Sequence, residues 1–376
     1  MVSQDLPAKC GVDFLRWFNR LIARPDVQRI AARLPFSRGM ARRDGAEIFD
    51  IVQGFVRSQV LGALIELRVL HRLMDGPLGA PAMALGTGIS PDRMAILMQA
   101  GAAMGLMKRL RDGRFRLSRK GAALLGVPGL EAMIRHHHVF YKDMTDPVAL
   151  LRGDTETGLA HFWPYVFGAR GDVQNEDAAR YSDLMAQSQE LVAQDTLRMV
   201  SLRGVRRLMD VGGGSGVFAA HVARAYRNMA LTVFDLPEVV PEAGRRLGRE
   251  GLGERITCLG GSFRDGALPQ GADAISLIRV LYDHADDTVS DLLAKAFAAL
   301  PAGGRLIVSE PMSGGAKPDP VGDVYFAFYT MAMGTGRARS AARIAEMCRA
   351  AGFVDVRSPT APRPYVTSAL VCVKPA

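Results

Sequence analysis

The chain has 376 residues, 48% of them hydrophobic, and a formal net charge of +9 at pH 7. This length predicts about two or three domains around a large core. An uncharged apolar run of roughly 18 residues is absent, and Asp5, Lys9 and Asp13 interrupt any signal-peptide core, so we expect neither a membrane span nor a secretion signal. The four cysteines lack metal-ligand spacing, which predicts buried thiols in a reducing cytoplasm and no metal site.

Residues 1–43 form the most basic segment, with nine basic residues against three acidic ones and a net charge of +6. Phe14, Leu15, Phe18, Leu21 and Ile22 recur at helical spacing among the arginines. This pattern predicts a basic amphipathic extension over residues 1–45. Such a helix either packs on the next domain with its arginines in water, or lies on an anionic membrane surface. A nucleic-acid-binding arm is the third interpretation.

Residues 46–130 have the pattern of a winged helix. Apolar residues follow helical spacing over 46–75, and Ser90-Pro91 predicts the start of a helix that runs to Met104. Two short apolar runs around Asp112-Gly113 predict a hairpin. The helix at 91–104 is mostly apolar, whereas a DNA-reading helix needs a polar face for base edges. We therefore expect a dimerisation module and no nucleic-acid partner.

We expect residues 131–200 to form a helical connector that contributes to a substrate pocket. Three consecutive histidines, His136 to His138, cannot share one helix face, so we expect no metal site there. Four aromatic residues follow, and they predict core or pocket wall: Phe162, Trp163, Tyr165 and Phe167.

From residue 201 to 376 strands and helices alternate, which predicts an α/β domain with a doubly wound, mostly parallel sheet. Its ligand is expected beyond the carboxyl ends of the strands. One predicted helix runs from Thr288 to Leu300 and ends at Pro301–Gly304. The predicted strands are 206–211, 230–234, 256–259, 273–278, 305–309, 353–357 and 367–373.

The glycine-rich turn after the first of these strands is the strongest motif. It reads Asp210-Val-Gly-Gly-Gly-Ser-Gly216, and Asp235 follows at the tip of the second strand. Glycines let the backbone approach a ligand, and an acid about 20 residues on is placed to bind a ribose diol. Val217 stands where a dinucleotide fingerprint has its third glycine, and no lysine completes a phosphate loop. The remaining pattern is typical of S-adenosylmethionine binding through Asp210, Gly212, Gly214 and Asp235.

Over residues 48–376 the chain resembles the small-molecule O-methyltransferases typified by plant caffeate and bacterial hydroxyindole enzymes. Within that class it most resembles the carotenoid O-methyltransferases of purple photosynthetic bacteria. The segments that carry this second resemblance are 41–61, 146–153 and 322–329. The class-wide segments are 210–216, 234–237, 261–263, 279–284, 301–304 and 307–311.

The resemblance implies roles for further residues. Leu236, Ser262, Phe263 and Arg279 fall on segments that bind the cofactor in the class. Ser262 replaces an acid that the class usually places beside the adenine. Tyr282 stands where the class usually has its catalytic histidine, and His284 stands where it often has a tryptophan. Of the two acids that assist catalysis in the plant enzymes, one corresponds to Glu310, and the other corresponds to about Ala338 and is therefore missing.

The resemblance implies methyl transfer to a hydroxyl, and the nucleophile sets the need for a base. A tertiary alcohol resembles water, with a pKa of about 16, so its proton should leave during transfer to a general base. Tyr282 and His284 are the two candidates for that base, and Glu310 would orient it.

We therefore predict an S-adenosylmethionine-dependent O-methyltransferase that acts on the tertiary hydroxyl of a hydroxycarotenoid. We expect a homodimer in the cytoplasm, and the N-terminal helix leaves open a peripheral contact with the inner or intracytoplasmic membrane. The alternatives are methylation of a small phenol, C-methylation of a tetrapyrrole, and a winged-helix regulator that senses the cofactor.

Overall fold

The computed structural model describes residues 8–162 and 175–376, with side chains described for 14–161 and 186–376. The chain divides into two compact units, Met1–Ala122 and Ala123–Ala376. The finer division into an extension, a winged helix, a connector and a cofactor domain stays a prediction.

The first unit is mainly helical. Its helices are α1 Ala8–Ile22, α2 Pro25–Ala31, α3 Arg38–Val52, α4 Gly54–Glu66, α5 Val69–Arg72, α6 Ala80–Ala84 and α7 Pro91–Ala103. Ser90 caps α7 as predicted, since its hydroxyl accepts a hydrogen bond from the amide of Arg93 at 3.4 Å. The predicted hairpin is also present, with β1 Met107–Arg109 antiparallel to β2 Phe115–Leu117. The helical stretch expected over 46–75 is broken after Val52 and again at Arg68, whose φ is 53°.

The second unit begins with helices and continues as an α/β fold. Its helices, counted from the one that crosses the boundary, are α8 Arg119–Leu125, α9 Leu130–Asp143, α10 Pro147–Arg152, α11 Gly158–Phe162, α12 Asn175–Met199, α13 Val217–Ala225, α14 Val240–Arg249, α15 Asp286–Ala299, α16 Ala327–Ala332 and α17 Ala341–Ala350. A short 3-10 turn spans Leu281–Asp283, and a π-helical segment, Pro320–Phe326, leads into α16.

The described part of this unit holds a seven-stranded sheet in the order β5-β4-β3-β6-β7-β9-β8. β9 runs antiparallel to both of its neighbours, and the other pairs are parallel. The strands are β3 Arg207–Val211, β4 Ala230–Asp235, β5 Ile256–Gly260, β6 Ala274–Ile278, β7 Arg305–Glu310, β8 Val354–Arg357 and β9 Ser368–Val373. This arrangement confirms the predicted doubly wound sheet.

Helices cover both faces of the sheet because the central strands are apolar on both sides. All five residues of β6 are buried, as is typical of strands packed between two helical layers. One core cluster joins β6 and β7 to α15 and α17, and a second joins β3 and β4 to α12, α13 and α14. The carboxyl ends of β3, β4, β6 and β7 therefore share one edge, where Asp210, Asp235, Arg279 and Glu310 lie.

Across residues 8–162 and 175–376, no single helix has the length and apolar content of a membrane span. The pair α3 and α4, bent by 53° at its junction, meets that test by length and composition.

Candidate functional site

The glycine turn between β3 and α13 leaves open space at its centre. Gly212 and Gly214 have φ values of 67° and 55°, in the left-handed region that glycine favours. A Cβ built on Gly212 would lie 2.8 Å from Cγ2 of Val280, whereas one on Gly214 meets nothing within 4 Å. At Gly212 the turn therefore packs closely against Val280, whereas at Gly214 its backbone borders open space, which we call the cradle.

Asp235 lies beside this cradle at the end of β4. One of its carboxylate oxygens accepts a hydrogen bond from the amide of Gly214 at 2.7 Å, and the other accepts one from Leu236 at 2.7 Å. Burial raises the pKa of this carboxyl, and the two amide hydrogen bonds oppose that rise. The carboxylate of Asp235 thus contacts two other predicted cofactor residues, Gly214 and Leu236.

Asp210 lies under the turn and is almost fully buried. Its Oδ1 accepts a hydrogen bond of 2.6 Å from the hydroxyl of Ser276, and its Oδ2 has no partner within the described part of the chain. Burial raises its pKa to about 7. A Cβ on Gly213 would come within 2.8 Å of that Oδ2, so the carboxyl supports the turn from beneath. Its predicted part in cofactor binding stays a prediction.

Helix α12 supplies neighbours that the sequence reasoning missed. Glu190 accepts a hydrogen bond from His221 of α13 at 2.7 Å and pairs with Arg246 of α14 at 3.5 Å. Arg246 also donates to the carbonyl of Ser215 in the glycine turn at 3.3 Å. Helical periodicity alone could not place Glu190 here, because His221 and Arg246 lie 31 or more residues away from it in the chain.

The loop after β5 forms a second part of the site around His284. The ring of Phe263 packs edge-on against the imidazole at 5.3 Å between centroids. Nδ1 of His284 lies 3.1 Å from the guanidinium of Arg264, while Ser262 accepts a hydrogen bond from the amide of Arg264. Burial, together with Arg264 and Arg339, lowers the pKa of His284 to about 4. The structure therefore groups His284 with the predicted cofactor residues Ser262 and Phe263.

The 3-10 turn after β6 brings Tyr282 and Glu310 together. The backbone amide of Tyr282 donates to Oε2 of Glu310 at 3.1 Å, and Oε1 of Glu310 has no partner among the described residues. Burial raises the pKa of Glu310 to about 8 and also raises the pKa of the Tyr282 hydroxyl. Glu310 therefore accepts a hydrogen bond from the backbone of the turn. This differs from the sequence-based prediction that Glu310 orients the side chain of the general base, Tyr282 or His284.

Asp283 adds a further acid to this centre. Its Oδ1 is buried and unpartnered within the described ranges. Burial raises its pKa to about 7, and the Arg279 guanidinium opposes that rise. Glu310 is thus a buried carboxyl and Asp283 a half-buried one whose Oδ1 is covered. Both have pKa values near neutrality, where a group can exchange protons.

Arg279 links this centre to α12. Its φ is 57°, rare for a residue with a side chain, and its amide donates to the carbonyl of Ser309 in β7 at 2.8 Å. Its guanidinium lies 5.5 Å from the centre of the Tyr282 ring and donates to the hydroxyl of Ser188 at 3.2 Å. Its Nε is buried without a described partner.

A wall of histidines and tyrosines flanks Tyr282. Nε2 of His136 shares a hydrogen bond with the Tyr329 hydroxyl at 3.0 Å, and Nε2 of His137 shares one with the Tyr325 hydroxyl at 2.8 Å. Tyr329 and Tyr282 belong to one apolar cluster with Phe140. Burial lowers the pKa of His136 to about 4, so it is neutral at pH 7.

The sequence reasoning missed the two tyrosines, although both lie in the segment 322–329 that carried the resemblance and are four residues apart, as on one helix face. The predicted pocket aromatics Trp163, Tyr165 and Phe167, and the side chain of Phe162, lie outside the described residues. Within the described ranges no group of three or more His, Cys, Asp or Glu side chains could hold a metal ion.

Comparisons with known proteins agree with this architecture. Residues 141–354 match the model of the O-methyltransferase domain, and residues 49–126 match the O-methyltransferase dimerisation domain. The chain is 57% identical to the demethylspheroidene O-methyltransferase of Cereibacter sphaeroides, over 98% of this chain and 97% of that protein. It is 52% identical to the enzyme of the same name from Rhodobacter capsulatus, over 95% of this chain and 89% of that protein.

Among solved structures, human N-acetylserotonin methyltransferase, described in complex with SAM, superposes with a TM-score of 0.74 at 23% identity. The match covers 89% of this chain and 98% of that chain, and at this identity it establishes the fold. The two domain models and the near full-length relatives carry the assignment further. This chain belongs to the O-methyltransferase family.

Proposed function

We propose that the protein transfers a methyl group from S-adenosylmethionine to the tertiary hydroxyl of a hydroxycarotenoid. The observation that carries this proposal is the 57% identity, over 98% of the chain, to a demethylspheroidene O-methyltransferase. The apolar cluster around Tyr282 supports it, because a long hydrocarbon substrate needs an apolar wall beside a few polar groups.

The residues around the glycine turn fit the cofactor. The space over Gly214 admits a ligand, and the carboxylate of Asp235 is fixed beside it for a ribose diol. The buried Nε of Arg279 is a donor that has no partner among the residues the structure describes. Ser262, Phe263 and His284 form the neighbouring part of the site, which suits the base of the nucleoside. When bound, the cofactor supplies a methyl group on a sulfonium whose departure leaves a neutral thioether.

The proton of the substrate hydroxyl then needs an acceptor. The contacts and pKa values of the site favour other residues for this role than the Tyr282 and His284 predicted from the sequence. The phenol of Tyr282 is buried and its raised pKa makes the protonated form, a hydrogen-bond donor and acceptor, the stable one. We propose that Tyr282 positions the hydroxyl and that the neighbouring carboxyls, Glu310 and Asp283, receive the proton. His284 stays the alternative base, although a pKa of about 4 makes it a weak one.

A pH-rate profile tests this assignment. Loss of general base catalysis costs about 10²–10⁴ in rate, so Glu310→Gln or Asp283→Asn should lower kcat by that order and remove the rise of activity through neutral pH. Tyr282→Phe should lower turnover less. Circular dichroism and cofactor affinity are the controls for folding. If His284→Ala abolished activity while Glu310→Gln and Asp283→Asn kept the wild-type pH-rate profile, His284 would be the general base instead.

The substrate class is tested by incubating the protein with labelled S-adenosylmethionine and either a tertiary hydroxycarotenoid or a small phenol. Mass analysis should find the labelled methyl ether of the hydroxycarotenoid. Label transfer to the phenol alone would favour the small-phenol alternative. Duplex DNA binding without turnover would favour the regulator.

We also propose a homodimer formed through the segment 49–126. Apolar side chains at its start are exposed in the isolated chain, including Ile51 at 81% and Phe55 at 72%. A second copy would remove this area from water, as such symmetric interfaces do. Sedimentation should therefore give a dimer at micromolar concentration, and a monomer at every concentration would contradict the proposal.

We place the protein in the cytoplasm, with a peripheral contact to the inner or intracytoplasmic membrane through its basic N-terminal helix. A hydroxycarotenoid is apolar enough to reside in the bilayer, so an enzyme at its surface would meet the substrate there. Cell fractionation at low and high salt tests this placement, because a peripheral protein held by charge leaves the membrane as salt rises.

A further inference from the structure

Helix α1 has two chemically different faces in water. Phe14, Trp17 and Phe18 are all exposed and lie within one stripe, since residues three and four apart share a helix face. The ring of Phe14 lies 6.1 Å from that of Trp17 and 6.2 Å from that of Phe18, so the three rings form one continuous patch. We call Phe14, Trp17 and Phe18 the aromatic patch.

Arginines occupy the other side of the same helix. Arg16 and Arg20 are exposed and one helical turn apart, and by helical spacing Arg16 falls opposite the aromatic patch and Arg20 at its edge, next to Trp17. The exposed Arg24, Arg29 and Arg33 continue the positive surface into α2 and the turn after it. Asp26 is the acid among them, and it is paired with Arg24 at 3.2 Å. A helix with apolar rings on one face and arginines on the other suits the boundary between headgroups and acyl chains.

A second copy of the chain is the competing occupant of the patch. The dimerisation model begins at residue 49, after α1 and α2, so the segment assigned to self-association does not include the patch. Packing two α1 helices on each other would also bring together two segments that each carry a net charge of +6. Anionic lipid instead neutralises that charge, because each basic residue near the surface is attracted to the negative headgroups.

We propose that the aromatic patch of α1 inserts into the headgroup and acyl boundary of an anionic membrane while the neighbouring arginines bind lipid phosphates. This inference rests on the proposed membrane contact and specifies its surface and its lipid. It also predicts orientation, because rings buried about 5–10 Å below the headgroups hold α1 parallel to the membrane plane.

Trp17 is a built-in reporter, since the chain has two tryptophans, Trp17 and Trp163. In full-length Trp163→Phe protein, the emission of Trp17 should shift to shorter wavelength when vesicles of phosphatidylglycerol and phosphatidylcholine are added. Lipids brominated on the acyl chain should quench it. Pure phosphatidylcholine vesicles should give little shift, and molar salt should reverse binding to the anionic vesicles.

Paired variants separate charge from apolar contact. Arg20→Gln with Arg24→Gln should weaken binding to anionic vesicles about tenfold or more, given the contribution of each charge. Arg349→Gln with Arg357→Gln, two exposed arginines in the second unit, is the matched control and should leave binding within about twofold. Phe14→Ser with Phe18→Ser should abolish quenching by brominated lipid while the arginines still hold the protein to the surface.

Unchanged Trp17 emission with anionic vesicles would overturn the inference. A blue shift that grows with protein concentration in the absence of lipid would also overturn it and assign the patch to a second copy. None of these readouts uses turnover. Methylation of a detergent-solubilised hydroxycarotenoid without vesicle binding would therefore refute the membrane surface alone, and vesicle binding without methylation would refute the proposed substrate alone.

Discussion

Alanine at Gly214 should separate the ligand space of the glycine turn from the stability of the fold. A Cβ there meets no atom within 4 Å, so the change adds no clash in the unliganded protein. Its φ of 55° is left-handed, which costs an L-residue about 1–2 kcal/mol. The free energy of unfolding should fall by that amount, and the folded population stays dominant.

The matched control is Gly213→Ala. Its Cβ would lie 2.8 Å from Oδ2 of Asp210 and 3.1 Å from Cγ1 of Val233. Asp210 is held by Ser276 at 2.6 Å and cannot retreat freely, so overpacking should cost about 1–3 kcal/mol. The two variants therefore lose comparable stability for different reasons, one through backbone conformation and the other through buried contacts.

Cofactor binding should distinguish the two variants. The amide of Gly214 is fixed on Asp235 at 2.7 Å, so the turn cannot move aside and the added methyl group takes up ligand space. By calorimetry, Gly214→Ala should bind S-adenosylhomocysteine at least about tenfold more weakly, which is 1.4 kcal/mol. The loss in Gly213→Ala should be smaller, because its methyl group meets Asp210 and Val233 and can act on the ligand only through Asp210. Wild-type affinity in Gly214→Ala would refute the assignment of this space to the cofactor.

Three other predictions address single side chains. Asp235→Ala should weaken S-adenosylhomocysteine binding by about 1.5–3 kcal/mol, the contribution of a hydrogen bond to a charged group, and unchanged calorimetric affinity would remove Asp235 from the ribose role. Arg363→Ala breaks two hydrogen bonds of 2.7 and 2.8 Å to the fully buried Asp195. Because the exposed Arg198 keeps one contact with Asp195 at 3.4 Å, urea denaturation should show a loss of about 3 kcal/mol, the lower end for a broken buried pair. A loss below about 1 kcal/mol would contradict the buried pair. The folded-state pKa of Glu310 is raised from 4.5 to about 8, so its contribution to stability is complete below pH 4.5 and is lost as pH rises through 8. The Tm should fall across that window, and Glu310→Gln should flatten the fall; equal slopes in both proteins would show that Glu310 is not the group responsible.

The sheet could be predicted from the sequence because its signals are local. Each predicted strand is an apolar run bounded by turn residues, and all seven occur within one residue of the expected ends, as for 206–211 against Arg207–Val211. The glycine turn was equally readable, since Gly212 and Gly214 are needed where φ is positive. Ser90 before Pro91 marked a helix start by capping chemistry that depends on neighbouring residues.

The remainder depends on partners that are distant in the chain. His136 meets Tyr329 across 193 residues, and Asp195 meets Arg363 across 168. Burial lowers the pKa of His284, and Arg264 and Arg339 lower it further, although no spacing rule connects these residues to it. The helix break at Arg68 has a left-handed backbone conformation, and no glycine stands at this position to predict it. Such features arise from tertiary packing, which overrides local preference.

The reversed strand β9 has a consequence for how the second unit is assembled. It follows β8 in the chain, yet it lies between β7 and β8 and pairs with β7 from Arg305–Val373 to Glu310–Ser368. Until residues 368–373 have been synthesised and inserted, β7 presents an unpaired edge of buried apolar residues. Such an edge can pair with another chain, so a chain in which β9 has not yet joined the sheet is open to strand addition by a neighbouring molecule.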